Sequence, residues 1–260
     1  MISILITSRV EGNINHGLKK LLNSLSTQSH SPDKIEVLIK FDTDDQIAMS
    51  VEADILAQNY PFKIKTAYGP RGRGYIDIHQ GYNNLLPMIS RESRVIGAMA
   101  DDFIVNRHWD EAVRLSIEGA GKFFIIHQRP HPPNGSDYNR PDKFRMDADM
   151  FNAEDIHIID EAPLWSPALI QAVEGFPVSF TDAWTLCLEY SLWHIYGINI
   201  TKFLPGIMIN RTTCEVDQPG NERWHTDRRI NFDFIKSNEF KEIVEEQAWF
   251  IDGAIKSDKN

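Results

Sequence analysis

The sequence predicts an α/β fold with a mostly parallel central sheet flanked by helices. Three observations carry this. Short apolar runs of strand length, rich in β-branched residues, recur through the first 105 residues. Segments with apolar residues at helical spacing separate them. Two of the runs, IEVLIKF and RVIGAMA, stop abruptly at aspartates. Alternating strands and helices build parallel sheets through right-handed crossovers, and ligands bind such sheets at the carboxyl ends of the strands.

The elements follow in order. Residues 2–7 form a buried strand. After the polar turn SRVEGNIN, Leu18, Leu21, Leu22 and Leu25 line one face of a helix. SHSPDK breaks it, and residues 35–41 form a second strand that ends in Asp42-Thr43-Asp44-Asp45. Residues 46–58 are helical, 62–67 a third strand, and GPRGRGY a glycine-rich turn. A helix over 76–90 turns Ile78, Tyr82, Leu85, Leu86 and Ile89 inward, and a fourth strand, 94–100, runs into Asp101 and Asp102. Beyond it, 109–117 reads as a helix, 122–127 as a strand, 164–174 and 182–196 as helices, 200–204 as a short strand and 238–256 as a last helix. A polar, proline-containing stretch from 130 to about 155 is longer than ordinary connections and expected to be functional or mobile.

Composition narrows the function. The chain has 260 residues, 42% hydrophobic and 25% charged, enough for one globular domain with a full core. A formal net charge of -10 argues against nucleic acid as a partner, because binding the phosphate backbone wants a basic face. The two cysteines, Cys187 and Cys214, form neither a disulfide scaffold nor a zinc motif, so a reduced, cytoplasmic setting is expected. The N-terminus reads as a strand and not as a signal peptide. No apolar run approaches the roughly 18 residues that span a membrane.

The acids are the candidate chemistry. Burying a lone carboxylate is costly, so two at the end of an apolar strand call for a cation, a metal or water. Hard cations such as Mg2+ and Mn2+ take carboxylates together with phosphate oxygens. Asp42-Thr43-Asp44-Asp45 and Asp101-Asp102 both follow strong strands, which aim them over one edge of the sheet. Asp147-Ala148-Asp149 spells D-x-D literally but has no strand before it. Arg71 and Arg73, in the glycine-rich turn beside that edge, offer forks suited to phosphate.

Taken together, these features resemble the nucleotide-sugar-binding half of a GT-A fold glycosyltransferase, most like family 2. The resemblance rests on Leu21-Leu22-Asn23-Ser24-Leu25-Ser26-Thr27-Gln28, on IEVLIKFDTDD, on GPRGRGYIDIHQGYNN, on Met99-Ala100-Asp101-Asp102, and on PLWSPALIQAVEGFPVSFTDAWTLCLEY with Gly175, Phe176 and Asp182. It covers roughly residues 1–205. It implies one GT-A domain: residues 1–105 hold the donor, and residues 106–260 supply the acceptor side and a C-terminal helix. It further implies a nucleoside-diphosphate sugar as donor, a carbohydrate or glycolipid as acceptor, Mn2+ or Mg2+ as cofactor, and a place in the cytoplasm or at the membrane periphery.

The resemblance also assigns roles. Asp42 would receive the nucleotide base. Thr7 and Arg9 stand where members carry P-x-Y/F-N after the first strand, and Asp101 lines the donor site. Asp101 and Asp102 would hold the metal, with His225 of Trp224-His225-Thr226-Asp227 as a further ligand. Asp182 would be the general base, although Thr181 or Asp182 equally fits a helix N-cap. Trp165, Trp184 and Trp193 either stack on sugars or belong to the core. The chain departs from the family in having Thr181 where a second acid is common, and in placing Gly220 where processive members carry glutamine before Arg223-Trp224. Two other readings stand beside this one. A catalytically silent carbohydrate- or nucleotide-binding protein would keep the fold. A nucleotidyltransferase would normally carry a lysine in the glycine-rich loop after the first strand, where this chain has SRVEGN.

Overall fold

The computed structural model describes residues 1–10, 17–72, 78–101, 103–127, 163–176 and 200–204, and helical positions 238, 242, 245, 246, 249, 251–253 and 256. Strands β1 (Ile2–Ser8), β2 (Ile35–Asp42), β3 (Lys63–Gly69) and β4 (Val95–Ala100) lie parallel, in the order β3-β2-β1-β4. Ile2 pairs with Ile35 on one side and Val95 on the other, so the three central strands start and finish nearly level. The sheet continues through β6 (Leu164–Trp165), β5 (Ile125–His127) and β7 (Thr201–Phe203). β6 is antiparallel to both β4 and β5, and β7 is parallel to β5.

Strand alternation divides the core into two layers. Ile2, Ile4 and Ile6 of β1 and Ile35, Val37, Ile39 and Phe41 of β2 meet α1 (Gly17–Gln28), α2 (Ala48–Ala57) and α4 (Trp109–Ser116). On the opposite face Leu5 and Leu38 meet α3 (Ile78–Leu85) and α5 (Pro167–Ala172), with Ile251 of the C-terminal helical positions. Each fully buried Leu, Ile or Phe stabilises the fold by roughly 1.5–3 kcal/mol relative to exposure. Gly97 lies in mid-strand where Ile4 and Leu164 approach closely; a Cβ there would lie 2.5 Å from Leu164 Cδ2.

Three elements differ from the sequence-based expectation. The helix expected over 164–174 begins as strand β6, because Leu164 pairs with Gly97 and Trp165 with Ile96 before Ser166 caps α5. Ser166 accepts the Leu169 N–H, and Pro167 occupies the helix start, where its missing N–H costs nothing. The helix expected over 76–90 ends as α-helix at Leu85 and tightens into a 3-10 turn, Leu86–Met88, around Pro87. The strand expected over 122–127 is confined to Ile125–His127.

One buried charge joins the amino-terminal edge of the sheet. Glu36 of β2 is fully buried. Its Oε1 accepts from Ser3 Oγ (2.5 Å) and Ser90 N (2.8 Å), and its Oε2 from Ser90 Oγ (2.6 Å) and Lys65 Nζ (2.9 Å). Burial pushes the carboxyl pKa up; the hydrogen bonds from Ser3, Ser90 and Lys65 outweigh it, and the net direction is down from the ordinary 4.5. A depressed acid contributes stability that is present above its unfolded pKa and lost as pH falls through its folded value. Glu36→Gln is therefore expected to lower stability near neutral pH by about 1–3 kcal/mol. The difference should shrink as pH drops below the ordinary 4.5. Urea unfolding at a series of pH values checks this, and a pH-independent difference would contradict it.

Candidate functional site

The site is built outward from the tip of β1. This strand is central, so its last residues reach acids on both sides. Ser8 Oγ donates to Asp101 Oδ2 at 2.6 Å, just beyond β4. Arg9 turns the other way and donates through Nη1 to Asp44 Oδ1 at 2.8 Å and Asp42 Oδ2 at 3.3 Å, beyond β2. The hydrogen bond from Arg9 holds the Asp44 carboxyl below its usual range, against a weaker opposing effect of burial. Arg71 lies 3.9 Å from the other Asp44 oxygen. Both strand-end acids thus stand at the carboxyl edge, one on each side of β1.

Asp42 is held from beneath as well. Lys40 is nearly buried, and its Nζ donates to Asp42 Oδ1 at 2.5 Å and to the Pro70 carbonyl at 2.7 Å. Two residues apart on one strand, Lys40 and Asp42 share a face. The ammonium therefore fixes the carboxylate and also ties down the turn after β3. A second connector is Asp45, whose Oδ2 accepts the Val10 N–H at 2.6 Å and whose Oδ1 accepts that of Ile47 at 3.2 Å. It joins the turn after β1 to the turn after β2.

Thr7 lies on the same face as Lys40, its register partner. Helix α3 sits directly on it: a Cβ on Gly81 would overlap Thr7 Cγ2. Glycine lets this helix approach the strand ends closely. Two residues further, Asn83 grips the backbone of Phe176. Its Oδ1 accepts the Phe176 N–H at 2.8 Å, and its Nδ2 donates to the Phe176 carbonyl at 2.7 Å. The grip follows a reversal at Glu174 and Gly175, which have φ of 58° and 101°. Phe176 packs among Trp165, His79 and Tyr82, with ring centroids 5.0, 5.5 and 5.6 Å away. Trp165 is 3% exposed and belongs to the core.

Of the residues singled out by sequence, Thr7, Arg9, Asp42, Arg71 and Asp101 therefore come together at one edge of the sheet. Arg73, Asp102, Asp182 and His225 lie outside the described residues, as do Asp147, Asp149, Trp184 and Trp193. Sequence reasoning missed Ser8, Lys40, Gly81 and Asn83; it placed Asp45 among the acids after the second strand, but not as the acceptor of the Val10 and Ile47 N–H groups. Lys40 did leave a signal: it is the one cation in an otherwise apolar strand end, two residues before an aspartate. Asn83 left none, because its partner is a backbone 93 residues away.

No family model matches the sequence, and no curated protein matches it. Solved structures do. A mannosyltransferase from Pyrobaculum calidifontis, PcManGT, in complex with GDP-Man and Mn2+, superposes with a TM-score of 0.62 at 12% identity, covering 96% of this chain and 69% of that one. S. aureus TarS residues 1–349, in complex with UDP, gives 0.56 at 13% identity over 95% of this chain and 70% of that one. The chain spans 40% of a longer TarS structure, with a TM-score of 0.57 and 14% identity. The fold is the GT-A-like fold of nucleotide-diphospho-sugar transferases.

Two outcomes are expected. Lys40→Met removes the nearer of the two cations on Asp42, leaving Arg9 at 3.3 Å, together with the donor to the Pro70 carbonyl, and lowers stability by about 3 kcal/mol. Asp42→Asn in the same chain recovers part of that loss, so a double-mutant cycle read by urea unfolding gives a coupling well above 0.5 kcal/mol; additive effects would contradict the pairing. Asn83→Ala removes both hydrogen bonds to Phe176 and costs about 1–3 kcal/mol, measurable as a lower urea midpoint with an unchanged m-value.

Proposed function

We propose that the chain is a metal-dependent, inverting glycosyltransferase that moves a sugar from a UDP- or GDP-sugar to a carbohydrate or glycolipid hydroxyl. The observation that carries this reading is the placement of Asp42 and Asp101 on either side of the β1 tip, at the carboxyl edge of a GT-A-like sheet. PcManGT holds GDP-Man and Mn2+, and TarS residues 1–349 hold UDP. Those ligands support a nucleotide-sugar donor here.

The residues divide the work. Asp42, steadied by Lys40, accepts hydrogen bonds from the base. Arg9 makes its shorter contact to Asp44 and its longer one to Asp42, so it can yield to the base without leaving its acid partner. Arg9, Arg71 and Arg73 bring positive charge to the diphosphate, and Thr7 lines the floor beneath it. Asp101 suits a hard divalent cation: it is a carboxylate at a strand end, oriented by the Ser8 hydroxyl, and Asp102 follows it. Asp101 and Asp102 would hold Mn2+ or Mg2+, with His225 as a further ligand. When bound, the ion offsets the charge that gathers on the departing diphosphate. Asp182 accepts the proton of the acceptor hydroxyl as its oxygen attacks the anomeric carbon, on the face opposite the nucleoside diphosphate. The bond to the diphosphate breaks as the new glycosidic bond forms.

The test measures binding and turnover together. UDP or GDP is expected to raise the thermal midpoint in the presence of Mn2+ and much less in its absence, since a ligand of the native state stabilises it. Asp101→Asn should reduce that metal-dependent shift and keep the fold. Asp182→Asn should keep donor affinity and lower turnover of a UDP- or GDP-sugar by roughly 10²–10⁴-fold. Normal turnover with intact donor binding would remove Asp182 from the role of base. Donor binding without any turnover in the unaltered chain would leave a binding protein.

A further inference from the structure

A second cluster of metal-ligating side chains stands at the other end of the sheet. His30 follows α1, and His108 and Glu111 open α4. One ligand atom from each lies within 4.8 Å of the other two. Glu111 Oε2 is 3.2 Å from His108 Nδ1 and 3.9 Å from His30 Nδ1. The imidazole centroids are 5.3 Å apart with the planes at 37°. The cluster lies just before Ile35 opens β2, whereas Asp42 closes it. Eight residues of strand separate the two edges, roughly 23 Å at 3.3 Å per residue.

We propose that His30, His108 and Glu111 form a zinc site distinct from the donor edge, with three protein ligands and a fourth position open to water or an exogenous ligand. Two imidazoles and one carboxylate are a ligand set for Zn2+, with metal–ligand bonds of about 2.0–2.2 Å. Tetrahedral geometry at that radius places ligand atoms about 3.3 Å apart. The Glu111–His108 pair already has this spacing. The Glu111–His30 pair is longer at 3.9 Å, and the two imidazole ligand atoms lie within 4.8 Å of each other, so binding draws the half-exposed His30 ring inward toward both partners.

The surroundings hold the ligands in place. Asp110 is fully buried, and its two oxygens accept the backbone N–H groups of His30 (2.7 Å) and Ser31 (2.9 Å). Trp109 Nε1 donates to Ser29 Oγ at 2.8 Å, and the His108 N–H donates to the Gln28 carbonyl at 2.6 Å. The turn carrying His30 is thus fastened to the helix start carrying the other two ligands, with little backbone left to order on binding. His108 itself has φ of 60°, in the left-handed region that non-glycine residues seldom enter. Its Nε2 lies 3.0 Å from Arg107 Nε. A guanidinium only donates, so the proton of the neutral ring sits on Nδ1, facing Glu111. Ligation through Nδ1 moves that proton to Nε2 and turns the exposed Arg107 aside.

Titration of the metal-free full chain with ZnCl2, followed by calorimetry, tests the site. One Zn2+ is expected to bind and to raise the thermal midpoint. His30→Ala and Glu111→Gln should each weaken binding by at least about tenfold. The double variant His30→Ala/His108→Asn should lose this zinc; asparagine tolerates the left-handed backbone, and circular dichroism with urea unfolding confirms that the variant folds. With Co2+ in place of Zn2+, the visible absorption of a tetrahedral ion should appear in the unaltered chain and vanish in the double variant. Asp101→Asn should keep the zinc, which separates this site from the donor edge. A double variant that retains the zinc, or an unaltered chain that binds none at ~100 µM, overturns the proposal.

Discussion

The central position of β1 is the constraint on which the rest depends. It pairs in parallel with β2 on one side and β4 on the other, and its aliphatic side chains are sealed on both faces. From β1 the chain first builds outward through β2 to β3 and then returns to add β4 on the far side. Crossovers on the two sides of β1 diverge at this reversal, and in open α/β sheets ligands bind outside the strand ends at such a point. Ser8 and Asp101 meet there, and Arg9 reaches across to Asp42 and Asp44. A shift of β1 by one residue would place its aliphatic side chains on the wrong faces and its polar tip away from both acids.

Buried charge is handled differently at the two edges. At the amino-terminal edge, Glu36 receives four donors, and Asp110 receives two backbone N–H groups and Arg114. For Asp110, as for Glu36, burial alone would raise the pKa, and the hydrogen bonds reverse the direction. These acids are closed into structure. At the carboxyl edge the acids share a few cations. Arg9 divides its guanidinium between Asp42 and Asp44, and Arg71 adds a longer contact. The two pairs on Asp44 are exposed, and exposed pairs are worth little individually, so they can exchange for ligand contacts at modest cost. That contrast is why the carboxyl edge reads as a site and the opposite edge as a foundation, onto which the His30, His108 and Glu111 cluster is set.

The likeness to PcManGT and TarS extends over nearly the whole chain at 12–14% identity. What persists at that distance is the arrangement of strands, and cores accept many apolar substitutions when volume and patterning are kept. Among the described residues, no helix is long and apolar enough to cross a membrane.

Local signals in the sequence define the four parallel strands. The strands are short, apolar and β-branched, the helices have a clear apolar period, and both signals are local. The placement of Asp42 and Asp101 at strand ends followed, because a parallel sheet sends every carboxyl end to one edge. Legibility failed where partners are remote in sequence. Residues 164–165 are too few to show a period, and they became a strand only because Gly97 leaves room for Leu164. Asn83 has meaning only beside Phe176, and the second partner of Lys40, the Pro70 carbonyl, lies 30 residues further on. His30 and His108 lie 78 positions apart in the chain and meet because Asp110 binds the turn after α1 to the start of α4. Local periodicity decides which segments become strands and helices, whereas only tertiary packing decides which polar side chains meet across loops far apart in the chain.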